Sequence, residues 1–240
     1  MSLLDNLISY WKLDEASGNA IDSHGTNTLT DENTVGTAAG KISNARDFEA
    51  NNAERFFIAS NASLQTGDID FTFSFWMNPE TVGNFAVMVN KSGAAAADRE
   101  YAVYNSFANQ LNFFIYDPAG NIVNVNSGVS LIVGTWFHVL VWHDSVANQI
   151  AISVNNATPV TLSHSTGVRT NNFEFQLGAR KDQGFFYDGL IDECGFWKRV
   201  LTPAERTALY NGGNGLSYDA FGGGGIIPIL RQHYAAQGAR

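Results

Sequence analysis

Phe71-Thr72-Phe73-Ser74-Phe75-Trp76-Met77 alternates without interruption, and Pro79 follows two residues later. Successive side chains of a strand point to opposite faces, so Phe71, Phe73, Phe75 and Met77 share one face and predict a strand laid on an aromatic core. Proline cannot donate to a ladder, so the strand is expected to end there. Outward from it, residues 135–143 read as a long strand buried on both sides. Trp136, His138, Leu140 and Trp142 share one face, and Phe137, Val139 and Val141 the other. Residues 111–116, the turn Asp117-Pro118-Ala119-Gly120-Asn121 and residues 122–125 read as a hairpin. Residues 149–154, Asn155-Asn156 and residues 158–162 read as another. With residues 173–177 and 190–197, the spacing predicts an all-β, two-sheet antiparallel sandwich. One short helix is marked by Thr202 as N-cap, Pro203 at its first position, Glu205 closing a capping box, and a stop at Asn211-Gly212-Gly213.

Composition fits this reading. The 240 residues are 45% hydrophobic, with 17 Phe and 5 Trp to fill a core and 23 Gly for turns. The net charge of −9 is spread along the chain. Nucleic-acid binding, which needs a basic patch, is not expected. No stretch approaches the roughly 18 apolar residues of a membrane span, so no membrane insertion is expected. Cys194 is the one cysteine, which excludes an intrachain disulfide. Met1-Ser2-Leu3-Leu4-Asp5 shows no basic-then-apolar secretory pattern, and the expectation is a chain made in a host cytoplasm.

Residues 1–221 are expected to form one domain. Gly222 to Gly225 make a four-glycine hinge before Ile226-Ile227-Pro228-Ile229-Leu230-Arg231-Gln232-His233-Tyr234. This tail reads either as a frayed terminus or as a docking peptide, with Ile226, Ile227, Ile229, Leu230 and Tyr234 buried in a neighbouring subunit.

Several segments carry a resemblance. Leu7-Ile8-Ser9-Tyr10-Trp11-Lys12-Leu13-Asp14-Glu15, with Ser17-Gly18-Asn19-Ala20-Ile21-Asp22-Ser23, is similar to the opening strand of the concanavalin A-like, laminin-G-like jelly rolls. Gly40-Lys41-Ile42-Ser43-Asn44-Ala45-Arg46-Asp47-Phe48 resembles their second strand, and Thr135-Trp136-Phe137-His138-Val139 a central one. Tyr187-Asp188-Gly189-Leu190-Ile191-Asp192-Glu193-Cys194-Gly195-Phe196-Trp197, then Leu201-Thr202-Pro203-Ala204-Glu205, resembles the closing strand and helix. The resemblance implies a jelly roll over residues 5–213. It implies little about function, because this fold hosts lectins, adhesion modules, enzyme appendages and virion proteins. It also implies a structural calcium ion, Ca2+, held by Asp22, the backbone of Asn27 and Asp192, with help from Asp14 or Glu15. The alternative is that Asp22 caps a turn and Asp192 pairs with a nearby arginine.

Catalysis is not expected. The β-glucanases of this architecture are similar to one another in a Glu-x-Asp-x-Glu strand, which this chain lacks, and retaining hydrolysis needs two carboxyls about 5–5.5 Å apart. Asp192 and Glu193 are expected on opposite faces of their strand. No nucleophile elbow, zinc spacing or phosphate-cradling loop is present, and Cys194 reads as a buried, inert thiol. Two binding readings follow. In the first, the chain is a bacteriophage virion decoration or fibre protein, located on the virion and anchored to neighbouring virion or self subunits by its tail. In the second, it is a calcium-dependent, lectin-like module for cell-surface glycans. Tyr101, Tyr104, Asn105 and Phe107 and the Gln183-Gly184-Phe185-Phe186-Tyr187 loop would supply its stacking and hydrogen-bonding groups, chiefly Phe185 and Tyr187.

Overall fold

The computed structural model describes residues 2–222. The expected docking tail, 226–234, and the hinge beyond Gly222 lie outside the described residues. Among the described residues no helix is long and apolar enough to cross a membrane. The described residues form two large antiparallel sheets, a separate two-stranded hairpin of Ala179–Arg180 and Phe185–Phe186, and one short α-helix, the jelly-roll sandwich expected. The eight-stranded sheet runs Val160–Ser163, Gln149–Val154, Phe137–Asp144, Phe71–Pro79, Gly189–Trp197, Asn44–Phe48 and Gly36–Ala39, with Leu7–Trp11 also paired to Gly189–Trp197. The seven-stranded sheet runs Ile122–Ser130, Gln110–Tyr116, Arg99–Asn105, Ala86–Ser92, Phe175–Leu177, Arg55–Ile58 and Thr30–Glu32.

The core lies between the sheets, and the alternation of Phe71–Pro79 builds one side of it. Phe71, Phe73, Phe75 and Met77 are buried there against Tyr101, Val103, Phe113 and Phe175 of the other sheet. Phe73 stacks on Phe196 at 4.4 Å between ring centroids and on Phe175 at 6.0 Å. Each such ring contributes on the order of 1.5–3 kcal/mol through burial. Asn155 and Asn156 both adopt positive φ, 52° and 57°, as a two-residue hairpin turn with matching twist requires.

The central strand begins at Phe137 rather than at residue 135, because the Thr135 amide turns back to the Ile132 carbonyl at 3.2 Å. Its two-sided burial has a simple cause. Phe137, Val139 and Val141 enter the core, while Leu140 and Trp142 meet Trp197, Leu201 just before the helix cap and the helix residue Leu209 outside it. The helix, Pro203–Tyr210, has the expected capping box at Thr202 and Glu205 and a left-handed stop at Asn211. Glu205 also takes both Arg199 guanidinium nitrogens, each at 2.7 Å, which ties the helix start to the closing strand.

Candidate functional site

The outer face of the seven-stranded sheet presents a row of rings. Tyr101, Val103, Phe113, Ile115 and Val125 fill the core, so strand parity turns Tyr104, Phe114, Tyr116, Asn112 and Asn124 outward. Phe107 lies 5.9 Å from Phe85, Phe85 stacks on Tyr104 at 4.7 Å, Tyr104 meets Phe114 at 5.6 Å, and Phe114 meets Tyr116 edge-on at 5.5 Å. Phe185 joins from a short hairpin folded over this sheet, 4.6 Å from Phe85. Phe107 is 74% exposed, and Phe85, Tyr104, Tyr116 and Phe185 are half-buried. An amide ladder borders the rings. The Tyr104 hydroxyl donates to Asn124 Oδ1 at 3.2 Å, Asn124 Nδ2 to Asn112 Oδ1 at 3.1 Å, and Asn126 Nδ2 to Gln110 Oε1 at 3.0 Å. Flat apolar faces edged by fixed amides suit a ligand with apolar faces and hydroxyl rims.

The structure divides the residues expected to bind a ligand. Tyr104, Phe107 and Phe185 share this face. Tyr101, at 0% exposure, is core and gives its hydroxyl to the Leu64 carbonyl; Tyr187, at 2%, gives its own to the Leu190 carbonyl. Asn105 is buried and donates to the Asn84 carbonyl. Tyr101 and Asn105 differ in parity from Tyr104 and so cannot share its face. Phe85, Phe114, Tyr116 and the amide ladder were missed, although the same parity argument reaches Phe114 and Tyr116.

Of the donors that the resemblance implied for calcium, Asp22, Asn27 and Asp14 already hold protein partners, while Asp192 Oδ1 and Glu15 Oε2 are buried without one. Asp22 caps its loop: Oδ1 accepts the amides of Tyr10, His24 and Gly25, and Oδ2 that of Asn27. The Asn27 carbonyl accepts the Trp11 indole N–H at 2.7 Å, and Asn44, not a cation, takes Asp14 Oδ1. Asp22 is thus satisfied by the chain itself, while Asp192 Oδ1 is left buried without a partner. Among the described residues, Asp47, Glu49 and Glu80 do bring carboxylate oxygens within 4.8 Å of one another. Burial first, and repulsion from one another, from Asp188 and, for Asp47 and Glu49, from Glu54, hold these three carboxyls above their ordinary range.

A β-bulge corrects the expected parity of Asp192 and Glu193. The register of Gly189–Trp197 against Phe71–Pro79 slips between Asp192 and Gly195, and Glu193 takes φ 50°. Ile191 and Cys194 both remain in the core, so the two acidic residues between them face outward together. They are nevertheless 0% and 3% exposed, which leaves no path for a substrate. Asp192 Oδ2 accepts the Ile42 amide at 2.9 Å; among the described residues it has no arginine partner, and Asp192 Oδ1 and Glu193 Oε2 have no partner at all. Burial pushes Asp192 up to about 8 against the Ile42 amide, with Glu193 adding repulsion, and pushes Glu193 up to about 7 despite the Tyr10 hydroxyl. Cys194 is fully buried, and burial raises its thiol, as expected of an inert cysteine.

A laminin G family model described as the concanavalin A-like lectin/glucanases superfamily matches residues 51–205. No curated protein matches the sequence. Among solved structures, the binding domain of Paraclostridial Mosquitocidal Protein 1 superposes with a TM-score of 0.73 at 17% identity, over 87% of this chain and 52% of that one. Domain 4 of AbnA, a GH43 extracellular arabinanase from Geobacillus stearothermophilus, in complex with arabinotriose, gives 0.66 at 18% identity, over 84% and 97%. The botulinum neurotoxin serotype G binding domain gives 0.66 at 14% identity, over 85% and 50%. The chain thus spans about half the length of the two toxin binding domains and nearly all of the arabinanase domain.

Proposed function

Because this chain belongs to the concanavalin A-like lectin/glucanase superfamily, we propose that it is a non-catalytic carbohydrate-binding domain whose site is the outer aromatic face of the seven-stranded sheet. The observation that carries this reading is the run of rings from Phe107 through Phe85 and Tyr104 to Tyr116, edged by Asn112 and Asn124. Sugar rings stack their C–H faces on such rings, and amides read their hydroxyls. The arabinanase domain solved with arabinotriose supports the reading, because the match spans that domain almost end to end. The burial of Asp192 and Glu193 supports a role without catalysis. Cell-surface glycans are the ligand class.

The finer reading is display on a virion, with Ile226, Ile227, Ile229, Leu230 and Tyr234 docked on neighbouring subunits. Its support is the sequence pattern of a glycine run followed by an apolar one. One experiment tests both levels: a glycan array and a particle-attachment assay, run on the full chain, the chain ending at Gly222, and Phe107→Ala and Tyr104→Ala. Each alanine variant should lose about tenfold or more in glycan affinity, as central stacking residues do, while the shortened chain keeps it and loses attachment. Unchanged glycan binding by both variants would overturn the site, and attachment of the shortened chain would overturn the docking.

A further inference from the structure

The aromatic row ends on a cluster of arginines. The Arg99 guanidinium lies over the Tyr116 ring, 5.3 Å from its centroid. Arg99, Arg169 and Arg180 each donate to a main-chain carbonyl of one loop, those of Ala94, Ala96 and Gly93 respectively, and Arg169 also donates to Pro118. These bonds fix three cations around the loop in a chain of net charge −9. They use only one or two of the five N–H donors of each guanidinium. Among the described residues only Asp182 lies within ion-pair distance of the cluster, 3.7 Å from Arg180 Nε, and its other oxygen is taken by the Ala94 amide. Among the described residues no carboxylate reaches Arg99 or Arg169: Asp98, on the same loop, makes no ion pair, and Asp117 is spent on Asn121. Arg99 Nε is buried without a partner. Beside Arg169, Ala96, Pro118, Val168 and Thr170 line an open recess of about 620 Å³.

Arg99 and Arg180 repel one another, Arg169 is tied to the same loop, and one carboxylate stands among the three, so an anion would relieve the unbalanced charge. Planar donor forks match a carboxylate or a sulfate. We propose that Arg99, Arg169 and Arg180 form an anion subsite at the Tyr116 end of the aromatic face, and that the ligand is an acidic glycan bearing a carboxylate or sulfate. This rests on the carbohydrate-binding reading and names its substrate class. The ring row takes the neutral sugars, and the arginines take the charged one.

The test uses the full chain on an array of matched glycans: neutral, uronate-bearing and sulfated forms of the same backbones. Acidic members should bind at least about tenfold more tightly than their neutral counterparts, with uronate and sulfate arms showing which anion is preferred. Arg169→Gln, a residue that touches no ring of the row, should sharply weaken that preference and leave neutral binding unchanged. Since these arginines also brace a loop, the wild-type chain supplies a second measurement: its affinity for acidic members should fall steeply between low and high salt. Equal binding of neutral and acidic members, or a preference insensitive to salt, overturns the anion subsite and leaves the carbohydrate reading standing. Binding to no glycan overturns both.

Discussion

Replacing Lys91 with methionine should lower stability by about 3–5 kcal/mol, the cost of leaving a buried charge without its partner. Lys91 and Glu100 are both fully buried, with Nζ 2.8 Å from Oε2. The ammonium also donates to the carbonyl and the side-chain oxygen of Asn171, each at 2.9 Å. Glu100 accepts the Thr66 amide and hydroxyl on its other oxygen and the Asn171 amide at 3.2 Å. The network joins the strands Ala86–Ser92 and Arg99–Asn105 to the segments around Thr66 and Asn171, at the end of the sheet near the arginine cluster. Methionine fills much of the lysine volume but strands the carboxylate. Lys91→Met/Glu100→Gln removes that charge and should recover most of the loss. Urea unfolding at pH 7 reads both. A loss under about 1 kcal/mol for the single variant would show that the pair is not buried as described.

The second large effect is a dependence on pH. Asp192 and Glu193 sit at about 8 and about 7 in the folded chain, above their ordinary unfolded values near 4. Between those limits the folded chain binds more protons than the unfolded one, so these groups make stability fall as pH rises from about 4 to about 8. Each contributes up to about 1.4 kcal/mol per pH unit within its window. The groups around the pair do not offset this: Asp14 repels both, and Lys12, which favours the charged form of Glu193, is itself shared with Asp14 and Asp219. Asp192→Asn keeps an oxygen for the Ile42 amide and abolishes the charging cost. Its stability should match the wild type near pH 4 and exceed it by a few kcal/mol at pH 8. Chemical unfolding of both proteins at several pH values gives the difference directly. A difference that stays flat from pH 4 to pH 8 would contradict the buried pair.

The fold was legible because its strands announce themselves. Phe71 to Met77 alternates cleanly, the Asn155-Asn156 turn demands positive φ, and Thr202, Pro203 and Glu205 spell a helix start. The site was legible only in part. Parity could separate Tyr104 from Tyr101, yet Phe85 and Phe185 reach the same face from loops and a short hairpin whose path depends on packing. The bulge at Glu193 has no local signature, since Asp192-Glu193-Cys194 reads as ordinary alternation until the register of a distant strand breaks it. Lys91 and Glu100 lie nine residues apart on adjacent strands, but their third partner, Asn171, is eighty residues away from Lys91. The surroundings of the implied calcium donors depend on packing that the sequence does not carry: four amides occupy the Asp22 carboxylate, whereas Asp192 Oδ1 is buried without a partner.

The central claim is that ligands meet the outer face of the seven-stranded sheet. The direct measurement is an NMR titration of the isotope-labelled chain with the best glycan from the array. Shift changes should concentrate on Phe85, Tyr104, Phe107, Asn112, Asn124 and Tyr116. Changes gathered on the helix side of the eight-stranded sheet, around Trp142 and Arg206, would contradict it.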